Sequence, residues 1–515
     1  IHVYKIYLHN YFVHPPSPPP SCVTGEWPAW LRGSFLRVGP GKFDFGDFTL
    51  NHWMDGMAIM HKYHIDGGQV TFRSKYLRSD AYKKACLAQR PVFTEFGTHC
   101  YPDPCKNIFS RMFSHFMTDN ASNSFVCVQD QVFVSSETCY LRRIDPNTLD
   151  TKEKVDLNKL MSVNFASSHP ITDSTGTTYN LGCSFLSGPK YNIVRIPPSK
   201  DSSDPFINAR TLTTINSSWK AWYSYYHSFG MSENYLVFLE QPLLVSTLKL
   251  ATAQIKSRAL TDCFEWNPQE KVKFIVIRKS TGEVVKTKYM CDKAFFTFHH
   301  VNAYEVEDQL VVDLVSYPSP AIINKLYLKK VRMSEYSSED PPQMKRFVLP
   351  LVGDLQEGEE MVRVPGSLAS AMKVKNNQDG TYISLVGADI GEPGFDMPQI
   401  NERHTGKPYR YVYGTGGYDR GYFRNAVCKV DVETGRSLKW QGNEYQYLSE
   451  PTFVSAPDAV DEDDGVILSS VADVRKDSPD FLLVLDARTM EELGRAEIDG
   501  QLPNSLHGVF LPEKH

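Results

Sequence analysis

Imidazole is the commonest metal ligand near neutral pH, and four of the chain's fifteen histidines stand at spacings that fit one site. They are His169 in SSHP (167–170), His227 in YYHSFG (225–230), His299 in FFTFHHVNAYE (295–305) and His507 in NSLHGVF (504–510). His169 and His227 are 58 residues apart, His227 and His299 are 72 apart, and His299 and His507 are 208 apart, or about three further steps of the same size. A propeller blade takes roughly 40–50 residues of sheet plus loops. One histidine on the inner strand of each of four blades would therefore bring four imidazoles to a common axis. A lone histidine is ordinarily a hydrogen-bonded core or surface residue, and fifteen of them allow other roughly regular subsets. The apolar surroundings of these four add weight, because they restrict water and leave the ring nitrogens as the available donors. Neutral imidazoles suit iron, copper, nickel or zinc. Four of them with no thiolate disfavour a structural zinc site, and a reaction with O₂ needs open coordination positions.

Ligating histidines usually donate their second N–H to a carboxylate or carbonyl. Glu137 in VSSET and Glu450 in LSEPTFV stand beside strand-like segments where an unpaired carboxylate is costly. Taken singly, each reads equally well as a solvent-facing residue.

The elements that must position these groups are short strands. LRRIDPNTLDTKEKV (141–155), FIVIRKSTGEVVKTK (274–288), VCKVDVETGRSLKW (427–440) and LLVLDARTMEELGRAEI (482–498) each read as strand, polar turn, strand. VFVSSE (132–137), QLVVDLVSY (309–317) and GVILSSV (465–471) alternate as strands, and DEDDG (461–465) offers an Asp-Gly turn before the last. The best helical pattern is EQPLLVSTLKLATAQIKSRAL (240–260). Recurrent hairpins of this kind predict a sandwich, barrel or propeller. Residues 1–25 read as a Pro-rich arm and 26–515 as a single domain.

With 55 Lys+Arg against 60 Asp+Glu, the net charge is −5, which excludes a phosphate-tracking surface and makes nucleic acid an unlikely partner. The ten cysteines are scattered with no C-x-x-C pair, so neither a disulfide framework nor a zinc ribbon is expected. No run of about 18 apolar residues predicts a membrane span.

Long motifs in order along nearly the whole chain resemble the carotenoid cleavage oxygenase family, in the animal branch that holds the β-carotene oxygenases and the retinoid isomerohydrolase. They include VTGEWPAWLRGSFLRVGPG, NHWMDGMAIMHKY, TEFGTHCYPDPCKNIFS, YYHSFGMSENYLVFLEQP, FHHVNAYE, GKPYRYVYG, LSEPTFVSAPDA and LHGVF. The resemblance implies an all-β, seven-bladed propeller with a small helical and loop cap over a four-histidine Fe(II) site. Its ligands carry over to His169, His227, His299 (the first of the pair, so His300 is excluded) and His507. The carboxylates behind them carry over to Glu137 for His227 and Glu450 for His507. The third is a departure: the family has Glu before its x-P-Q-I-N run, whereas FDMPQIN puts Asp396 there. An Asp facing His299 must sit closer, use a bridging water, or hold the ring less firmly.

The implied activity is oxidative cleavage of a C=C bond in a carotenoid, xanthophyll or apocarotenoid by O₂, to two carbonyl products. The wording of the motifs leans slightly toward eccentric 9′,10′ cleavage over central 15,15′ cleavage. Retinyl-ester isomerohydrolysis, cleavage coupled to isomerisation, and a non-catalytic carotenoid-binding propeller are the alternatives. So insoluble a substrate implies uptake from a membrane. Ile108, Phe109, Met112, Phe113 and Phe116 form a near-helical apolar pattern that would dip into the bilayer interface. The expected state is a monomer or weak dimer, cytoplasmic and peripheral to a membrane, with a mitochondrial location as the alternative.

Overall fold

The structure, a computed structural model, describes residues 21–101, 117–185, 187–199, 204–333, 335–351, 357–418 and 423–513. Within them lie seven sheets of four to six strands, one of three strands and one of two. The seven larger sheets meet through the strands nearest a common axis. Gly230–Met231 packs on Phe296–Val306, which packs on Asp396–Ile400, then Thr452–Ser455, then Gly508–Pro512, then Ser124–Val128. The circuit is completed by hydrogen bonds: Ser135 Oγ donates to the Ser168 carbonyl at 3.4 Å, and Ser167 Oγ donates to the carbonyl of His227. This is the propeller expected from the motifs.

The two chain ends interlock. Gly508–Pro512 pairs antiparallel with Arg32–Lys42, and Cys22–Gly25 pairs with Glu492–Ile498. The first pairing needs a glycine next to His507, because a Cβ on Gly508 would lie 2.4 Å from the Leu36 carbonyl oxygen. The second moves the boundary of the N-terminal arm: Cys22–Gly25, read as its last residues, are already an edge strand of the domain.

Three of the four expected hairpins form as strand pairs, at Tyr140–Ile144 with Thr151–Asp156, Ala426–Asp431 with Ser437–Gln441, and Asp480–Asp486 with Glu492–Ile498. The fourth forms as a looser hairpin: Val272–Arg278 meets its returning segment at the Ile277–Val284 bridge, where Arg278 N donates to the Glu283 carbonyl and Val285 N to the Val276 carbonyl, and the pairing continues at Tyr289–Cys291. DEDDG holds a turn, with Asp464 N donating to the Asp461 carbonyl at 3.2 Å, but it is the end of a nine-residue loop between Ser455 and Gly465, and Gly465 begins the second strand. The 240–260 segment is largely not helical. Leu243–Ser246 is a buried strand paired with Trp222–Ser224, and only Thr247–Ala251 forms a helix, with Ser246 Oγ accepting from Lys249 N at 3.2 Å. A short strand buried on both faces has a continuous apolar run, which periodicity cannot distinguish from a helix. No disulfide forms among the described cysteines, and no described helix is long and apolar enough to cross a membrane.

Candidate metal centre

Each of the four histidines lies at or beside an axis-facing strand. His169 follows Phe165–Ala166, His227 precedes Gly230–Met231, His299 lies within Phe296–Val306, and His507 precedes Gly508–Pro512. Their ligand atoms all fall within 4.8 Å of one another. His227, His299 and His507 are buried, and His169 is half-buried. Alternation along its strand separates the His299–His300 pair. His299 turns to the axis, while the His300 ring turns away to the Ser228 hydroxyl at 2.9 Å.

Three rings are oriented by carboxylates. The Nδ1–H of His227 donates to Glu137, that of His299 to Asp396 at 2.8 Å, and that of His507 to Glu450 at 2.7 Å. Asp396 therefore reaches His299 directly, with no bridging water. The backbone explains how. Residues 396 and 399 would point to opposite faces of a regular strand, but the register shifts between them and Met397 takes φ 56°. This bulge turns both inward: Asp396 meets His299, and the Gln399 amide donates to Glu450 at 2.8 Å.

The carboxylates are themselves held. Tyr225 donates to Glu137 at 2.6 Å, and Tyr317 donates to Asp396, which also accepts Met397 N at 2.7 Å. Glu450 further accepts Gly508 N at 3.2 Å and Arg37 Nη1 at 3.3 Å, and Arg37 is fully buried. Against the cost of burial, the His299 imidazole and the Tyr317 hydroxyl hold Asp396 at about 2. Glu137 lacks comparable help, and burial pushes it up to about 7. Glu450 is held below the usual carboxyl range, the effects of His507 and Arg37 outweighing its burial. Burial drives the His169 and His227 imidazoles well below their ordinary value, so both are neutral at physiological pH.

The ring nitrogens left over fit a cation. With its Nδ1–H committed to Glu137, His227 presents a bare Nε2 lone pair, which lies 2.9 Å from Nε2 of His169. Nε2 of His299 is buried with no hydrogen-bond partner. Buried polar atoms are rarely left orphaned. A divalent ion taking four imidazole nitrogens satisfies these atoms together, and a donor set of neutral nitrogen with no thiolate suits ferrous iron.

Beside the histidines opens a cavity of about 180 Å³. Met54, Phe96, Met117, Leu260, Phe298 and Ile322 give it an apolar lining. It is smaller than the roughly 300–1,000 Å³ of ordinary small-molecule clefts, so an elongated ligand would fill it with one stretch of its length. Short helical and loop segments supply the wall away from the metal, including Ile322 and Leu326 from and beside Ala321–Lys325.

Sequence reasoning missed Arg37, Tyr225, Tyr317 and Gln399. Three of them were in view within the motifs: Arg37 in LRVGPG, Tyr225 two residues before His227, and Gln399 in DMPQIN. It also missed two polar groups in the cavity wall, Glu95 and Arg424. Ile108, Phe109, Met112, Phe113 and Phe116 lie outside the described residues.

Comparison with known proteins agrees with this architecture. The family model described as retinal pigment epithelial membrane protein matches residues 13–512. The mitochondrial carotenoid-cleaving dioxygenase of Mustela putorius furo is 41% identical over 506 residues, covering 95% of this chain and 93% of the relative. The human β,β-carotene 15,15′-dioxygenase is 39% identical over 509 residues, covering 95% and 92%. The cobalt-substituted apocarotenoid oxygenase of Synechocystis superposes with a TM-score of 0.76 at 20% identity, covering 98% of each chain. The chain belongs to the carotenoid oxygenase family.

Proposed function

We propose that this protein is an iron-dependent dioxygenase that cleaves a C=C bond of a carotenoid-like polyene with O₂, giving two carbonyl products. The observation that carries this reading is a cluster of four imidazoles, three of them braced by carboxylates, that opens on an apolar cavity. His169, His227, His299 and His507 would hold the iron. Bound there, iron supplies the activation of O₂.

The remaining work falls to the chain itself. Glu137, Asp396 and Glu450 accept the Nδ1–H of their histidines, fixing ring orientation and leaving Nε2 free for the metal. The aromatic and aliphatic lining excludes water and binds the polyene by burial of apolar surface. No side chain is assigned as a general acid or base. The seven larger sheets are counted as the seven blades, and a membrane as the source of the substrate. The names of relatives do not specify a 9′,10′ bond, so the eccentric position expected from the motifs is not carried forward, and product chain length identifies the bond. Because several of those relatives are named mitochondrial, the same location is proposed here.

The test is incubation of the iron-loaded protein with β-carotene under ¹⁸O₂. Label in aldehyde products is expected. Label-free products from a retinyl ester, with no turnover of β-carotene, would instead identify an isomerohydrolase.

A further inference from the structure

Most charged groups buried in this molecule have a partner. Arg37 meets Glu450, Arg142 meets Asp119, Arg346 meets Asp313 and Lys429 meets Asp463. Arg424, half-buried on the cavity wall, departs from this pattern. It lines the cavity together with Tyr317, Asp396 and Phe423, yet among the described residues it makes no ion pair. Its Nη1 is sealed from solvent without a hydrogen-bond partner. Its position is nonetheless fixed. The guanidinium lies 4.3 Å from the centre of the Tyr418 ring, the Arg424 carbonyl accepts Leu448 N at 2.8 Å, and the Tyr418 hydroxyl is bound by Lys325 Nζ at 2.9 Å.

Guanidinium carries five N–H donors and no acceptor. A cation with no ion pair beside an apolar space is costly, and a pure hydrocarbon ligand offers the half-buried guanidinium no acceptor. Asp396, a carboxylate of the same cavity wall, is already committed to His299, Tyr317 and Met397 N. With no counterion among the described residues, the ligand is where an acceptor can be supplied.

We infer that Arg424 is a specificity-determining residue that donates to an oxygen of the bound polyene, so that the site prefers polyenes bearing a carbonyl or hydroxyl group over hydrocarbons. This rests on the polyene reading above. The stacking on Tyr418 holds the guanidinium plane in place before the ligand arrives, which spares the ordering cost of a free arginine.

The test compares the full-length, iron-loaded wild type with Arg424→Leu, Arg424→Gln and Arg424→Lys, using β-carotene and an apocarotenal. A hydrogen bond to a charged group sets the size of the effect. The ratio of kcat/KM for apocarotenal to that for β-carotene is expected to fall about tenfold or more in Arg424→Leu and Arg424→Gln, mainly through KM. Arg424→Lys should keep part of the preference. A second measurement needs no turnover. The absorption band of an apocarotenal bound to metal-free wild type should lie at longer wavelength than in Arg424→Leu, because a cation at the carbonyl oxygen stabilises the more polar excited state. An unchanged ratio, or the same band position in both proteins, overturns the assignment. Absence of turnover of either substrate by wild type would count against the cleavage reading, while the band position still tests Arg424.

Discussion

The cavity has two sides built on opposite rules. On the metal side, polar groups are paired in depth: Tyr317 holds Asp396, Asp396 holds His299, and Arg37 and Gln399 hold Glu450, which holds His507. Elsewhere on the wall, polar groups keep unused bonding capacity. Arg424 has no counterion among the described residues. The Glu95 carboxyl has no cation beside it among the described residues; it accepts the Thr118 hydroxyl at 2.8 Å and is bonded by Asn120, and burial beside Asp55 still pushes it well above the carboxyl range. The difference teaches which side is finished by folding and which is finished by a ligand. Saturated networks fix geometry before anything binds, and unsaturated groups facing a cavity are where a bound molecule can still be told apart from its relatives.

The contrast breaks most completely at a ligand. His227→Ala is expected to lower both iron content and β-carotene turnover by more than about a hundredfold, beyond the 10–100-fold typical of losing an outer partner. Metal analysis and product quantification check it, and retention of both would remove the site assignment. Glu450→Ala comes next, since it strips His507 of its acceptor and leaves Arg37 as an uncompensated buried charge. Breaking such a pair costs about 3–5 kcal/mol. The loss should appear in chemical denaturation of the metal-free protein, where a purely metal-orienting role would leave stability unmoved.

Asp396 sharpens the comparison. Asp396→Asn should weaken iron retention about 10–100-fold. Asp396→Glu, which restores the residue usual in the family, should not improve on the native chain. Its extra methylene must push on His299 or Tyr317, both already in hydrogen-bond contact with the shorter side chain, and overpacking of this kind costs about 1–3 kcal/mol. Iron titration of both variants reads the outcome.

The smallest effect lies behind the cavity wall. His52 is forced neutral by burial, to about 4, although its donation to the Ile323 carbonyl opposes this. Its contribution to stability is present above about pH 6.5 and lost as the pH falls toward 4. Burial pushes the neighbouring Asp55 up to about 6. That contribution has the opposite sign: it is present below about pH 4 and lost as the pH rises through 6. The two nearly cancel between pH 6.5 and 4.5. Asp55→Asn removes only the second, so the variant should lose about 2 kcal/mol more stability than wild type over that interval. Denaturation midpoints at the two pH values measure it.

Much of this was legible in the residues. QLVVDLVSY, read as an alternating strand, is the strand Gln309–Tyr317, but all nine of its residues are buried, so its β-branched content rather than period-two burial carries the signal. The four histidines stood in recognisable motifs, and their convergence follows from one inner strand per sheet. Of the three arrangements expected at Asp396, the closer seat is the one that forms; the bulge at Met397 that provides it is a backbone decision and leaves no trace in composition. The 240–260 segment was misread because burial on both faces erases the period that separates strand from helix. Arg424 was invisible for another reason. An arginine in sequence is presumed to reach solvent, and only the three-dimensional wall reveals that its Nη1 is closed off and that it has no carboxylate partner among the described residues.

The interlocked chain ends have a consequence for biogenesis. The four ligands are strung from residue 169 to residue 507, and the last stands immediately before Gly508–Pro512, the strand that docks on Arg32–Lys42. A fragment that ends before residue 507 lacks the fourth imidazole, and one that ends at 507 lacks the strand that anchors it. Capture of the metal is therefore a checkpoint on ring closure, and a truncated or unzipped product would betray itself by failing to retain iron.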